Sequence, residues 1–196
     1  MRKSMFLIAY LLMAPAAFAG LTNIGIGIHG GIVSGYDNPV LEDSLINQIG
    51  NIDFSGDMTN LGMHVNIGTL RIIEVDGSLD YAWKKHEIIQ GVNLTFSDIS
   101  ISGSVIKPFT LAVLKPYVGA GIGIHALAYS LETSGQTVVL PDNETKMGYH
   151  LKAGVALNLP LFPLTPSVEW KYNMIQTTAK STKYNSINVG ITLDLP

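Results

Sequence analysis

The sequence predicts an all-β protein, an eight-stranded antiparallel up-and-down transmembrane β-barrel, and three observations support this. The chain is apolar, with 47% hydrophobic and 14% charged residues and a mean hydropathy of +0.30. Beyond its N-terminus, however, it has no run of the roughly 18 apolar residues that a spanning helix needs. Eight segments instead alternate between apolar residues and polar residues or glycine, as β-strands do. The connections alternate between long and short, which is typical of outer-membrane barrels.

Residues 1–19 have the three parts of a secretory signal peptide. Arg2 and Lys3 form the basic start, residues 5–13 form a short apolar core, and residues 17–19 (Ala-Phe-Ala) form the cleavage site. The apolar run is too short for a membrane anchor, so we expect export and a barrel domain over 20–196. Without Arg2 and Lys3 the mature chain has 10 basic and 15 acidic residues, a net charge of −5, which argues against nucleic-acid binding.

The strands are predicted from the phase of their apolar residues. The eight alternating apolar sets span 24–32, 61–67, 73–83, 99–105, 118–124, 149–157, 168–174 and 187–193. Three of these sets span 9–11 residues and five span seven, so with their flanking residues most approach the 9–11 residues of a tilted membrane-spanning strand. Leu94 and Phe96 have the opposite phase to Ile99 and Ile101, which predicts a β-bulge near Ser97 or Asp98.

The predicted connections differ in length and composition between the two ends of the barrel. The connections at 35–57 and 130–146 are long and contain Pro, Gly, Asn and Asp, which favour loops. Those at 70–71, 107–115 and 160–166 are tighter. Long loops at one end and short turns at the other place both chain termini at the periplasmic end.

Alternation alone does not distinguish a membrane barrel from a soluble lipocalin-like barrel, which buries its apolar face. Three features favour the membrane. The face opposite the aliphatic residues is rich in Gly, Ser and Asn, which fit a narrow lumen. The aliphatic face carries no charge in most strands, as lipid requires. The aromatic residues Tyr81, Trp83, Trp170 and Tyr172 lie on the aliphatic face near predicted strand ends, where an aromatic girdle is expected.

Several of these segments resemble a known family. The segment KPYVGAGIG (115–123) resembles the fifth strand of the small outer-membrane β-barrel superfamily, which includes the OmpA/OmpX-type and opacity-type proteins. The segments VDGSLDYAW (75–83), GYHLKAGVALNLP (148–160) and VEWKY (168–172) are similar to it in place and character. The resemblance implies a barrel without an open pore in the bacterial outer membrane. Its expected partners are outer-membrane lipid, lipopolysaccharide and the barrel assembly machinery.

The sequence departs from the superfamily at its end. Members usually finish on an aromatic residue, generally Phe, which the assembly machinery reads. This sequence finishes Asp194-Leu195-Pro196, although Leu193 and Leu195 keep the apolar phase.

The predicted lumen holds most of the charge of the strands. Its titratable residues are His29, His64, Glu74, Asp76, Asp80, His125, His150, Lys152, Glu169 and Lys171. Buried charges must be paired, so we expect an ion-pair network that fills the barrel, and the alternative is a polar path for a small solute.

His125 and His150 could be cross-strand neighbours and hold a metal. Because no close His-x-His spacing occurs, we expect hydrogen-bonded histidines and no metal or cofactor.

An enzymatic role is the weakest of three functional hypotheses. A resemblance to outer-membrane lipid A deacylases would require a His-x-Ser motif on a late strand, where this sequence reads EWKYN (169–173). No Gly-x-Ser-x-Gly motif occurs either. We therefore expect a non-enzymatic, monomeric barrel with a structural or adhesion role, with a narrow channel or transporter as the alternative.

Overall fold

The computed structural model describes residues 21–36, 57–69, 72–133, 136–139, 144–159, 162–176 and 181–195. This part of the chain contains nine β-strands, and none of it forms a helix able to cross a membrane. The strands are β1 Leu21–Ser34, β2 Met58–Thr69, β3 Ile73–Ile89, β4 Val92–Pro108, β5 Leu114–Thr133, β6 Gln136–Val139, β7 Glu144–Leu157, β8 Leu164–Ile175 and β9 Thr182–Leu195.

Eight of the strands close into a barrel. Each of them pairs antiparallel with its neighbour in the sequence, and β1 pairs with β9 to complete the circle. The short strand β6 pairs only with β5, at the end where the longer connections lie. The predicted eight-stranded up-and-down barrel is therefore confirmed.

The register of the pairs defines the tilt of the strands. A row of directly paired residues that starts at Ile24 on β1 returns to β1 at Ser34, ten residues further along. The row runs through Ile67, Val75, Val105, Ala120, Leu151, Tyr172 and Asn185. A shear of ten in eight strands gives a tilted, narrow barrel whose interior is filled by side chains.

The outer face of this barrel is a band of exposed aliphatic side chains. Ile28, Ile101 and Val189 are each more than 60% exposed, and residues two apart on the same strands repeat the pattern because successive side chains point to opposite faces. A soluble barrel would bury these side chains. An apolar exterior with a polar interior is the arrangement that a bilayer stabilises.

The predicted β-bulge near Ser97 or Asp98 is wrong. Strand β4 pairs with β5 along its whole length without a shift, and its pairing with β3 shifts only beyond Glu87. Leu94 and Phe96 keep the strand phase and point into the barrel, where they are 2% and 0% exposed. The change of phase in the sequence marks the level at which the barrel interior turns from polar to apolar.

The structure also shortens the predicted loop at 130–146. Strand β5 continues to Thr133, β6 follows it, and β7 begins at Glu144, so much of this connection is a β-hairpin extension. Strands β3 and β4 extend in the same direction and join at Gly91, whose positive φ of 80° suits glycine. The predicted signal peptide and most of the long connection at 35–57 lie outside the described residues.

Candidate functional site: the filled lumen

The lumen has two layers, and the layer at the loop end is apolar. Ten buried residues pack there: Val33, Tyr36, Met58, Ala82, Leu94, Phe96, Leu127, Tyr129, Ile175 and Tyr184. Tyr36 stacks on Tyr184 with ring centroids 4.9 Å apart and meets the edge of Phe96 at 5.3 Å. We call these ten residues the loop-end cluster. It occupies the barrel cross-section where a pore would need an opening.

Below the loop-end cluster the lumen is polar, and the structure places all ten sequence-predicted residues there. Lys152 lies between two carboxylates, with its Nζ 2.5 Å from Asp76 Oδ1 and 3.3 Å from Glu169 Oε2. Lys171 Nζ lies 3.3 Å from Asp80 Oδ2. Since both lysines are less than 10% exposed, these pairs compensate charges that would otherwise be very costly inside the barrel.

Two of the predicted histidines form a hydrogen-bonded chain that spans the four strands β3, β1, β2 and β9. The Nδ1 atoms of His29 and His64 face each other at 3.2 Å. His29 Nε2 lies 2.6 Å from Asp80 Oδ1, and His64 Nε2 lies 2.8 Å from Thr192 Oγ1. Because an ionised carboxylate only accepts hydrogen bonds, His29 Nε2 must be the donor to Asp80.

This constraint determines which atom donates in each of the three hydrogen bonds that link Asp80, His29, His64 and Thr192. When both rings are neutral, His29 Nδ1 accepts from His64 Nδ1, and His64 Nε2 accepts from the Thr192 hydroxyl. When the pair takes up one proton, His64 Nε2 donates to Thr192, whose hydroxyl rotates, and all three hydrogen bonds remain. A second proton would set two N–H groups against each other at the 3.2 Å contact. Two fully protonated rings are therefore incompatible with this contact.

The other two histidines do not meet, so the expected contact between His125 and His150 is wrong. His125 pairs in the sheet with Lys146, whereas His150 pairs with Gly121, four residues away along β5. His125 Nδ1 lies 3.0 Å from Asp98 Oδ2, directly beneath the loop-end cluster, and Tyr184 donates to the same carboxylate oxygen at 3.4 Å. His150 Nε2 lies 2.7 Å from Ser104 Oγ.

Each lumenal histidine ring lies over a glycine. A Cβ atom added to Gly62, Gly27, Gly148 or Gly121 would overlap the ring of His29, His64, His125 or His150, respectively. In the sequence each of these histidines follows a glycine by two residues, as Gly-x-His at 27–29, 62–64, 123–125 and 148–150. Three of the four covered glycines, Gly27, Gly62 and Gly148, begin such a motif, so the repeated spacing is a partial signal of ring-over-glycine packing.

Several lumenal residues escaped the sequence prediction. Asp98 was obscured by the supposed bulge. Lys115 and Tyr117 precede the glycine-rich part of β5 in the same phase, and they bind Glu74 at 2.5 Å and Glu169 at 2.9 Å. The site prediction also left out polar partners of the network, although the alternation places most of them on the lumenal face. They are Asn60, Ser78, Ser102, Ser104, Thr165, Asn188, Thr192 and the charged Asp194. Extending the alternation to the starts of β5 and β8 would have found Lys115, Tyr117 and Thr165 as well.

A polar cavity of about 90 Å³ opens into the lumen from the turn end, which is the end of the barrel that carries the short turns. His29, His64 and the Lys152 ion pairs line it, and Asp80 with Lys171 forms its inner limit. Beyond that pair lies a second space of about 10 Å³, enough for one water molecule. The buried Oδ1 of Asn60 borders it without a protein partner in the described part of the chain. Above this space the loop-end cluster begins.

The predicted aromatic girdle residues all lie on the outer face. Tyr81 stacks on Trp83 at 5.0 Å, and Trp83 pairs with Thr59 at the loop-end edge of β2. Trp170 and Tyr172 are 6.4 Å apart on β8, with Trp170 near the middle of that strand. The first pair occupies an end of the apolar band, as a girdle requires, while the interfacial position of the second pair stays a prediction.

The described residues offer little for metal or nucleophilic chemistry. No group of three or more His, Asp or Glu side chains among them has metal-binding geometry. Ser104 and His150 form a nucleophile–base contact, but each is 4% exposed and neither lines the 90 Å³ cavity. A lipid or solute at the barrel surface does not reach this pair.

No protein-family profile and no curated protein matches the sequence. Solved structures, in contrast, share its fold. The outer membrane protein OprG from Pseudomonas aeruginosa aligns with a TM-score of 0.54 at 9% identity, covering 89% of this chain and 97% of that one. Neisserial surface protein A aligns with a TM-score of 0.53 at 16% identity, covering 89% and 96%.

A third similar structure is Ail, the attachment invasion locus protein of Yersinia pestis, solved with the heparin analogue sucrose octasulfate. It aligns with a TM-score of 0.53 at 15% identity over 88% of this chain and 97% of that one. Likeness at such low identity concerns the fold, and the fold expected from the family resemblance is confirmed. The chain has the fold of the small eight-stranded outer-membrane β-barrels, and its apolar outer face fits that location.

Proposed function

We propose that this protein is a non-enzymatic outer-membrane barrel whose filled lumen is a structural plug and whose loop end carries a structural or adhesion role. The observation that carries this proposal is the loop-end cluster. Phe96, Leu127 and Ile175 are completely buried inside the barrel, so the polar cavity ends blindly beneath them. A barrel with a closed interior acts through its surface and not through transport.

The outer face supports insertion into the bacterial outer membrane. The exposed aliphatic band needs a hydrocarbon environment, and a Lys or Arg at its midplane would cost about 2–4 kcal/mol. In that setting the expected partners are lipid and lipopolysaccharide around the band and the assembly machinery during insertion. Heat-modifiable mobility in gels tests the barrel. Mobility unchanged by boiling, with solubility in the absence of detergent, would contradict the proposal.

The loop end is the surface from which an interaction role would be exerted. The extended strands β3, β4 and β5 and the added strand β6 rise there beyond the rest of the barrel. The similar Yersinia structure holds a polyanionic heparin analogue. Without its predicted signal peptide this chain has a net charge of −5, so we do not extend polyanion binding to it.

A narrow channel is the second candidate, because the 90 Å³ cavity opens toward the turn end. Conductance of the purified protein in planar bilayers separates the two. The plug predicts a flat baseline for the wild type. It also predicts steps only after the loop-end cluster is opened, for example by Phe96→Gly together with Leu127→Gly. Clean single-channel steps from the wild type would establish the channel instead.

The non-enzymatic part of the proposal has its own test. Lipid A from cells with and without the protein is compared by mass spectrometry. We expect identical profiles, since the Ser104–His150 contact is sealed inside the barrel. A change in acyl chains that disappears in a Ser104→Ala variant would overturn this part.

A further inference from the structure

The apolar band contains a groove on β3, β4, β5 and β7. The outward residues Val105, Val118 and Leu151 form its walls, and the short side chain of Ala120 forms its floor. In the next row toward the loop end, Gly77 pairs with Gly103. A Cβ atom at either glycine would meet no atom within 4 Å. The groove therefore continues along the barrel wall as a channel for a chain-like apolar group.

Among the residues that the structure describes, Lys107 is the cation that lines this groove, and it lies at the turn end. It is exposed and makes no hydrogen bond or ion pair with any residue in the described ranges. The lumenal lysines Lys115, Lys152 and Lys171 are all paired with carboxylates. Lys107 is thus a free positive charge beside an apolar groove, which matches the chemistry of a lipid with an anionic head.

The position of Lys107 along the barrel axis fits a lipid headgroup. Ser97, which pairs with Trp83, and Lys107 are ten residues apart on β4. At about 3.4 Å per residue and a tilt of about 40°, that distance corresponds to roughly 26 Å along the axis, close to the ~25 Å height of an outer-membrane apolar band. With Trp83 at one boundary, the Lys107 ammonium lies at the other, at the level of phosphate groups in the periplasmic leaflet.

We propose that this groove is a specific site for one anionic phospholipid of the periplasmic leaflet. One acyl chain lies over Ala120 and along Gly103 and Gly77, and the phosphate binds the Lys107 ammonium. The inference rests on the proposed membrane location. It adds a defined ligand class and a residue that recognises it.

Native mass spectrometry of the folded protein released from detergent tests this site. The probes are dioleoylphosphatidylglycerol and dioleoylphosphatidylcholine. We expect one retained phosphatidylglycerol and weaker retention of phosphatidylcholine. Lys107→Gln should weaken phosphatidylglycerol retention about tenfold, the loss expected for one charge-assisted hydrogen bond. Its matched control is Lys183→Gln, an exposed lysine on the loop-end part of β9, which should retain the lipid like the wild type.

A second variant tests the groove without touching the charge. Ala120→Phe fills the floor and should abolish retention of both lipids, whereas Ala126→Phe, an outward residue further along β5, should not. Equal retention of the two lipids, no effect of Lys107→Gln, or a dimer mass in place of the lipid adduct would overturn the site. Each variant is first shown to be heat-modifiable, because loss of the barrel itself would count against the membrane proposal and not against the groove.

Discussion

His29 and His64 face each other across β1 and β2 with their Nδ1 atoms 3.2 Å apart, so only one of these two atoms can carry a hydrogen. Because His29 Nε2 donates to Asp80, His64 Nδ1 is the donor of the central hydrogen bond. His64 Nε2 is then left to bind the Thr192 hydroxyl at the other end. A lumen organised in this way is a connected network and not a set of independent ion pairs. Its members respond jointly to protons and to substitution.

The 3.2 Å contact predicts that only one of the two facing Nδ1 atoms carries a hydrogen while the barrel is folded. The histidine pair is faced by Asp76 and Asp80 on β3, Lys152 on β7, and Glu169 and Lys171 on β8. Long-range ¹⁵N–¹H spectra of the histidine rings, recorded as pH falls, measure this. Two fully protonated rings in a protein that still runs as a folded barrel would contradict the geometry.

The buried ion pair between Lys152 and Asp76 should respond differently to a single and to a triple substitution. Lys152→Met leaves two carboxylates without their shared cation, and we expect a loss of about 3–5 kcal/mol in the free energy of unfolding. Lys152→Met with Asp76→Asn and Glu169→Gln should recover much of that loss. Urea unfolding in lipid vesicles measures each value.

The matched control for this ion pair is the exposed one between Lys85 and Glu132, at 2.7 Å on the outer side of the loop-end extension. Lys85→Met should cost less than about 1 kcal/mol, because solvent screens that pair. If Lys152→Met and Lys85→Met lowered the free energy of unfolding equally, burial would not explain why the lumenal charges depend on one another.

The ring-over-glycine packing yields a sharper comparison, because two glycines of the barrel have opposite surroundings. Gly62→Ala sets a methyl group against the His29 ring and a backbone carbonyl, and overpacking of this kind costs about 1–3 kcal/mol. Gly77→Ala adds a methyl group to the outer face, where nothing lies within 4 Å. Its effect should be neutral or slightly stabilising. The same unfolding assay ranks them, and a Gly62→Ala barrel as stable as the wild type would refute the packing.

The barrel could be predicted from the sequence because its signal is repeated on every strand. A slip of one residue would exchange lipid-facing Ile101 with lumenal Ser102, so the register is encoded by polarity. The same rule gave the wrong prediction of a β-bulge, because the lumen changes there from polar to apolar. Leu94 and Phe96 look like a break in phase, although the backbone is regular and only the interior has become apolar.

The site was predictable in its membership and not in its pairings. Phase alone places His125 and His150 in the lumen, but their partners Asp98 and Ser104 depend on the stagger between strands. The shear of ten that sets this stagger comes from packing around the closed barrel. No local residue pattern encodes it.

The outer face offers the most direct test of the whole account, and it requires no destabilising change. The chain contains two tryptophans, Trp83 and Trp170, and both lie on the outer face of the barrel. Trp83→Phe and Trp170→Phe leave one indole each to report separately. We predict that phospholipids brominated on their acyl chains quench the fluorescence of each variant in vesicles, while aqueous iodide does not. Quenching by iodide without quenching by the brominated chains would place this face in water, and the membrane barrel would be wrong.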